Sequence, residues 1–318
     1  MNKLAIIVPC YNEEEVLHET TTRLSEILAD LNKEQLITKD SFILYVNDGS
    51  TDKTWSIIQE LNHSTSYVYG VKLAHNSGHQ NALIAGLTTA VDSADIMITI
   101  DADLQDDVEK IKDMVTKYNE GNDIVYGVRS SRKTDTLFKR LSAEGFYKMM
   151  QGLGVNTVYN HADYRLMSKR AVEFLLQFNE RNLFLRGIIP LIGYKTACVY
   201  YNRAERFAGT SKYPLKKMIS FAFDGITSFS TKPVHLLLYI GACFIIIALC
   251  ILIWVIYSLS MGNTVSGWTS LILSVWFIGG ILLIGLGIVG EYIGKIYIEV
   301  KHRPRFNIEE VLENNDRK

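Results

Sequence analysis

Two aspartates spaced one residue apart, Asp101 and Asp103, follow the apolar run Ile96–Ile100, with Ala102 between them and Gln105 close behind. Alternate positions just past a strand let two carboxylates approach one oxygen-loving cation. Mg²⁺ or Mn²⁺ is bound in this way, by one or two carboxylates together with substrate phosphates. Such an ion neutralises a diphosphate leaving group and draws it off as a Lewis acid. Without a positive partner, paired carboxylates in a crevice repel each other, so Asp101 and Asp103 are hard to explain as ordinary turn residues. Four more polar clusters follow apolar runs: Pro9-Cys10-Tyr11-Asn12-Glu13, Asn47-Asp48-Gly49-Ser50, Asn76-Ser77-Gly78-His79 and Gly127-Val128-Arg129. Each alone is compatible with turn chemistry. Five of them, each at the end of an apolar run, point to a nucleotide-type ligand.

The elements that must position these clusters are legible from periodicity. Leu4–Val8, Phe42–Val46, Tyr67–Leu73, Ile96–Ile100 and Ile124–Val128 read as strands, and Glu13–Leu31, Lys53–Leu61, His79–Val91 and Val108–Tyr118 as the helices between them. Strands separated by single helices imply a parallel sheet with right-handed crossovers, whose ligand crevice lies beyond the carboxyl ends of the strands. All five clusters fall at that edge. No GxGxxG follows the first strand and no GxxxxGK followed by Ser or Thr occurs, which removes the main support for a dehydrogenase or a P-loop NTPase. His75 and His79 read as loop residues or helix-start donors rather than metal ligands.

Charge distribution separates a second region. The chain has 318 residues, 33 basic and 34 acidic, with a net charge of −1, yet no Asp, Glu, Lys or Arg occurs between Pro233 and Gly290. A wholly soluble domain is excluded. Residues 234–257 and 268–290 are each long enough to cross a hydrocarbon core of about 30 Å at ~1.5 Å per residue, and the loop between them is rich in Gly and Ser. Lys212, Lys216, Lys217 and Lys232 precede this hairpin; Lys295, Lys301, Arg303 and Arg305 follow it. The positive-inside rule puts both termini and the large domain in the cytoplasm. Leu215, Met218, Ile219, Ala222, Ile226 and Phe229 recur at helical spacing opposite Lys216, Lys217 and Asp224, the pattern of an amphipathic interfacial helix. The expected organisation is therefore a catalytic domain over 1–212, an interfacial helix over 213–232, a transmembrane hairpin over 233–291 and a cytoplasmic tail over 292–318. Balanced charge gives no reason to expect nucleic acid. The first apolar run is too short for a signal-peptide core. Four cysteines without paired spacing suit a reducing compartment. Gly279, Gly280, Gly285, Gly287 and Gly290 permit close helix contacts, within the hairpin or in a homo-oligomer.

The motifs VPCYNEE (8–14), VNDGSTD (46–52), NSGHQNAL (76–83), DADLQD (101–106), ADYRLM (162–167) and RFAGTSKY (206–213) resemble, in order, glycosyltransferase family 2, and more narrowly its bacterial polyprenyl-phosphate branch, similar to dolichol-phosphate-mannose synthases. The likeness continues through both apolar stretches to GEYIGKIYIEVKHRPRF (290–306). It implies an α/β nucleotide-diphospho-sugar transferase fold, GT-A-like, with a Rossmann-like parallel sheet. It also implies inverting transfer of a hexose, glucose foremost, from a UDP-sugar to undecaprenyl phosphate in the cytoplasmic membrane. N-acetylglucosamine or GDP-mannose as donor, and a non-catalytic membrane-anchored sugar-nucleotide sensor, are the alternatives. A processive synthase lacks its QxxRW motif here.

By the same resemblance, Pro9, Tyr11, Asn12, Glu13, Asp48 and Ser50 line the nucleotide pocket, with Asp48 on the base. Asp101, Ala102, Asp103 and Gln105 form the metal and diphosphate site, and Asp103 is the direct metal ligand. Arg129 stands near the donor phosphates, and Asp163 is the catalytic carboxylate. Arg206, Ser211 and Lys212 match the segment that holds acceptor or donor phosphate, and are assigned to the lipid phosphate. The residues also admit plainer readings: Asp163 as a helix cap or a partner of Arg165, Arg129 as a strand-end charge, and Arg206, Ser211 and Lys212 as a juxtamembrane basic patch.

Overall fold

A computed structural model describes residues 1–130, 161–181, 184–204, scattered positions between 234 and 261, and 267–313. Eight strands form one sheet: β1 (Leu4–Cys10), β2 (Phe42–Asn47), β3 (Val68–Leu73), β4 (Ile96–Thr99), β5 (Ile124–Arg129), β6 (His161–Ser168), β7 (Thr196–Tyr201) and β8 (Ile308–Leu312). The described helices are α1 (Leu17–Lys33), α2 (Thr54–Ser64), α3 (His79–Ala90), α4 (Lys110–Asn119), α5 (Lys169–Leu175), α6 (Leu185–Ile188) and α7 (Trp268–Val300), with a 3₁₀ turn over Ile189–Ile192.

Every residue of β1 and β2 is buried, because helices cover both faces; that is why these strands are continuous apolar runs rather than alternating ones. Ile6, Val8, Ile43 and Tyr45 join one core with Leu17, Leu24 and Leu28 of α1 and Ile111, Met114 and Val115 of α4. α3 lies on the other face. It comes so close that a Cβ on Gly86 would stand 2.4 Å from Ile7 Cγ2 and 2.8 Å from Val46 Cγ2.

The strand order is β7-β5-β6-β4-β1-β2-β3-β8. β1 to β4 are parallel as expected, but the sheet is mixed. β6 runs antiparallel between β4 and β5, and β8 runs antiparallel along β3. The expected all-parallel sheet is corrected accordingly. An inserted antiparallel strand leaves no crossover signature, and β6 carries His161, Asp163, Arg165 and Ser168 among only four apolar or aromatic residues, which hides it from a hydropathy reading.

The stretch placed after the membrane region as a tail is structured. α7 continues ten residues past the expected end at Gly290. Glu291, Lys295 and Glu299 are spaced four apart, a pattern that supports helix through i,i+4 pairing. The end of the uncharged stretch is therefore not the end of the helix. The chain then adds β8 to the sheet, with Lys72 Nζ 3.1 Å from Glu309 Oε1. Arg305 donates to the Phe178 carbonyl.

Among the described residues one helix is long and apolar enough to cross a membrane, through Phe277–Val300. Of the expected span 234–257 only scattered positions are described, and these are helical. The interfacial helix expected over 213–232 lies outside the described residues. The described part falls into two compact units, one holding 1–130, 161–204 and the chain from 303 onward, the other holding α7 and the scattered positions before it.

Candidate active site at the carboxyl edge of the sheet

The loops after β1 and β2 lock onto each other. Asn12, at φ 55°, donates its backbone N–H to Ser50 Oγ at 3.0 Å, and its side-chain oxygen accepts from Thr51 N at 2.9 Å. Glu13 N donates to Thr54 Oγ1 at 2.9 Å. This cross-bonding explains why α1 begins at Leu17 rather than at Glu13: Asn12 to Glu15 are used in the turn. Pro9 lies inside β1 opposite Val46. Tyr11 projects from the turn with 44% of its surface exposed.

Asp48 is buried, and its two oxygens accept from Ser77 N at 2.6 Å and Gly78 N at 3.0 Å. The residue expected at the base thus fastens the loop that leads into α3. Gly49 makes that possible: at φ +64°, a Cβ there would stand 2.5 Å from Asn76 N and 2.6 Å from the His75 carbonyl carbon.

Beyond β4, Ala102 is buried, with its carbonyl accepting from Thr20 Oγ1 at 2.9 Å. Asp103 Oδ1 accepts from Gln105 N at 3.2 Å. Arg203 donates to the Gln105 side-chain oxygen, and Ala204 N donates to its carbonyl at 2.9 Å. Asp106, buried, receives Arg129 Nη2 at 3.3 Å and the Tyr201 hydroxyl. Arg129, the last residue of β5, is therefore held by a carboxylate and a phenol.

Asp163 sits near the start of β6 with its backbone oxygen accepting from Thr99 Oγ1 at 2.6 Å. Arg165 donates to Oδ1, and Arg186 of α6 grips the carboxylate with Nη2 at 3.1 Å and Nε at 3.4 Å. His79 Nε2, on the first residue of α3, stands 3.8 Å from Asp163 Oδ2 and 3.6 Å from Asp101 Oδ1. Burial alone would raise the Asp163 carboxyl, but Arg186, Arg165 and His79 together hold it far below the usual carboxylate range. Asp101 has the opposite surroundings. Burial of its carboxyl, with Asp163, Asp106 and Asp103 adding negative charge and His79 opposing, pushes it up to about 6.

No group of three or more His, Cys, Asp or Glu side chains able to enclose an ion occurs among the described residues. A hard cation held by one or two carboxylates and completed by substrate phosphate needs no such cage. Asp101 and Asp103 therefore fit a divalent ion, whereas Gln105 has its side-chain oxygen on Arg203.

The structure brings Asp101, Asp103, Asp163 and Arg129 to one sheet edge, with Tyr11, Asn12, Glu13, Asp48 and Ser50 in the loops after β1 and β2 at the same edge. Arg206, Ser211 and Lys212 lie outside the described residues. Sequence reasoning missed Arg186, Asp106, Tyr201 and Arg203 and set His79 aside. Asp106 and His79 stood inside motifs already singled out. Arg186 follows no strand and had no spacing signal.

Residues 5–176 match the family described as glycosyl transferase family 2. The uncharacterised glycosyltransferase YkoT of Bacillus subtilis strain 168 is 54% identical over 98% of the chain and 92% of that protein. The bactoprenol glucosyl transferase of Shigella phage SfV is 42% identical over 96% of the chain and 98% of that protein. The prophage bactoprenol glucosyl transferase homolog of Escherichia coli K12 is 41% identical over 97% and 99%.

Proposed function

The chain belongs to glycosyl transferase family 2, and from that premise we propose that it transfers glucose from UDP-glucose to the phosphate of undecaprenyl phosphate, with inversion at the sugar. The observation that carries this reading is the meeting of Asp101 and Asp163 at His79 on one sheet edge, with Asp103 two residues along the same loop, in a chain whose near-full-length relatives are named for glucosyl transfer to bactoprenol.

An oxygen of the acceptor phosphate attacks the anomeric carbon. The bond from that carbon to the diphosphate breaks, and UDP leaves with the electron pair. A phosphate with a second pKa near ~6 is already ionised at neutral pH, so no proton needs to be removed from the nucleophile. This agrees with the state of Asp163. Two guanidiniums keep it ionised, so it acts through its charge and its hold on Arg186 rather than by accepting a proton. Tyr11, Asn12, Glu13 and Ser50, with Pro9 behind them, shape the nucleoside end, and Asp48 keeps the Ser77–Gly78 turn closed beside it. Mg²⁺ or Mn²⁺ would be held by Asp101 and Asp103 and would supply charge neutralisation to the leaving diphosphate. Arg129 faces the donor phosphates. Arg206, Ser211 and Lys212 guide the lipid headgroup from the bilayer.

The same reading places the catalytic unit on the cytoplasmic side of the membrane, anchored by two spans, 234–257 and the helix α7. It is supported by the basic flanks of the uncharged region and by β8 pairing with β3 across that region.

Purified full-length protein with undecaprenyl phosphate, Mg²⁺ or Mn²⁺ and a panel of labelled sugar nucleotides tests the reading. Label passing from UDP-glucose into the lipid phase is expected. Label passing only from UDP-N-acetylglucosamine or GDP-mannose overturns the sugar assignment. Bound nucleotide without transfer from any donor overturns the enzymatic one.

A further inference from the structure

Two arginine stations flank the Asp101–Asp103 pair, one on each face of the sheet. On the face covered by α1 and α4, where Tyr201 and Val199 join the core, Arg129 and Tyr201 meet Asp106 and Arg203 meets Gln105. Asp163 and Arg165 alternate along β6 with Ala162, Tyr164 and Leu166 of that same core, so their side chains point to the opposite face, under α3. The aspartate pair divides between the stations. Asp103 joins the first through Gln105, and Asp101 joins the second through His79.

Within the second station the two arginines differ. Arg165 is 1% exposed, and its Nε and Nη1 meet no hydrogen-bond partner among the described residues. A buried guanidinium without a counter-charge is strongly unfavourable, which commits Asp163 to it. Arg186 has a side chain 32% exposed. It rides on α6, whose Leu185 and Ile188 are buried and whose Leu185 N donates to Gln80 Oε1 of α3 at 2.8 Å. Its backbone is fixed while its guanidinium reaches the open side of Asp163. The planar fork that grips a carboxylate grips a phosphate equally well. Asp163 would not be left uncompensated if the fork moved, because Arg165 stays.

Sheet order says which phosphate. The nucleoside belongs at the ends of β1 and β2, the diphosphate at the end of β4, and β6 is the next strand outward. What lies beyond the diphosphate is the sugar and the attacking group. Resting on the polyprenyl-phosphate reading above, we propose that Arg186 is an acceptor-binding residue: its fork, parked on Asp163, engages the phosphate of the incoming lipid and aims its oxygen at the sugar, while Arg165 and Asp163 position it.

The test uses the full-length protein, wild type, Arg186→Lys and Arg186→Gln, in detergent with Mn²⁺. Initial rates are measured against undecaprenyl phosphate at saturating UDP-glucose and the converse, with UDP and geranyl phosphate binding followed by calorimetry. The expected result is a KM for lipid raised at least tenfold in Arg186→Gln and less in Arg186→Lys, with UDP affinity within twofold of wild type and geranyl phosphate binding lost. Equal loss of UDP and lipid affinity moves Arg186 to the donor and overturns the proposal, as does an unchanged lipid KM. Because Arg186→Lys keeps the charge that pairs with Asp163, it stays informative should Arg186→Gln fail to fold. A wild type that binds geranyl phosphate through Arg186 yet transfers no glucose refutes the reaction and leaves the anion seat standing. One that transfers glucose with Arg186 substituted at no cost refutes the seat alone.

Discussion

Asp163 faces two guanidiniums and an imidazole, and that imbalance decides both its chemistry and its share of stability. Its folded pKa is depressed. The stability it contributes is therefore complete above the unfolded value of about 3.9 and is lost as pH falls through the folded one. Asp163→Asn removes the partner of a buried arginine, a change that costs about 3 kcal/mol or more where one member of a buried pair is deleted. The variant is expected to unfold at lower denaturant concentration at pH 7 and to lose less of its remaining stability than wild type between pH 5 and 3. Equal acid sensitivity of the two would show that Asp163 is not held ionised. The plainer sequence reading, a partner for Arg165, describes one of its contacts correctly. What sequence could not supply was Arg186, which reaches the carboxylate from a four-residue helix whose place is set by tertiary packing.

At the scale of elements, β1 to β5 were legible to within two residues because most of their positions are buried on both faces, so composition alone betrays them. β7 and β8 were not, because edge strands alternate with exposed positions and β8 carries Glu309 and Glu310. Loops were legible as polar clusters but not in what they bond to. Gly49 is the clearest case: it reads as a turn glycine, whereas the structure gives it a close approach to the backbone of His75 and Asn76. Gly49→Ala combines positive-φ strain with a backbone collision, and it should cost well over about 1 kcal/mol and weaken UDP binding by displacing the turn that Asp48 holds. Gly78→Ala is the control. Gly78 also has positive φ, but a Cβ there meets nothing within 4 Å, so the strain alone remains and the loss should be smaller. Equal melting temperatures for the two variants would remove the collision argument.

For the whole molecule, the decisive contact is local to the sheet. β3 and β8 are hydrogen-bonded neighbours, Val71 opposite Val311 and Lys72 opposite Glu310, yet the entire uncharged region of the chain lies between them. A sheet cannot be shared across a bilayer, whose hydrocarbon satisfies no backbone hydrogen bond. Residues 68–73 and 308–312 therefore occupy one compartment, and any crossings of a membrane by the chain between them are even in number. If α7 spans, a partner span is required, and the apolar stretch 234–257 is the segment with the length to supply it. This parity comes from strand pairing and is independent of the lysine and arginine flanks, which by the positive-inside rule also put both ends of the apolar region on one side. A tag inserted between Ser258 and Gly267 is expected to react with an impermeant reagent on intact cells, while tags at both termini react only after lysis. Termini on opposite sides would mean that β8 does not pair with β3 in the membrane-bound protein. A loop tag reachable only after lysis would mean that neither apolar stretch crosses.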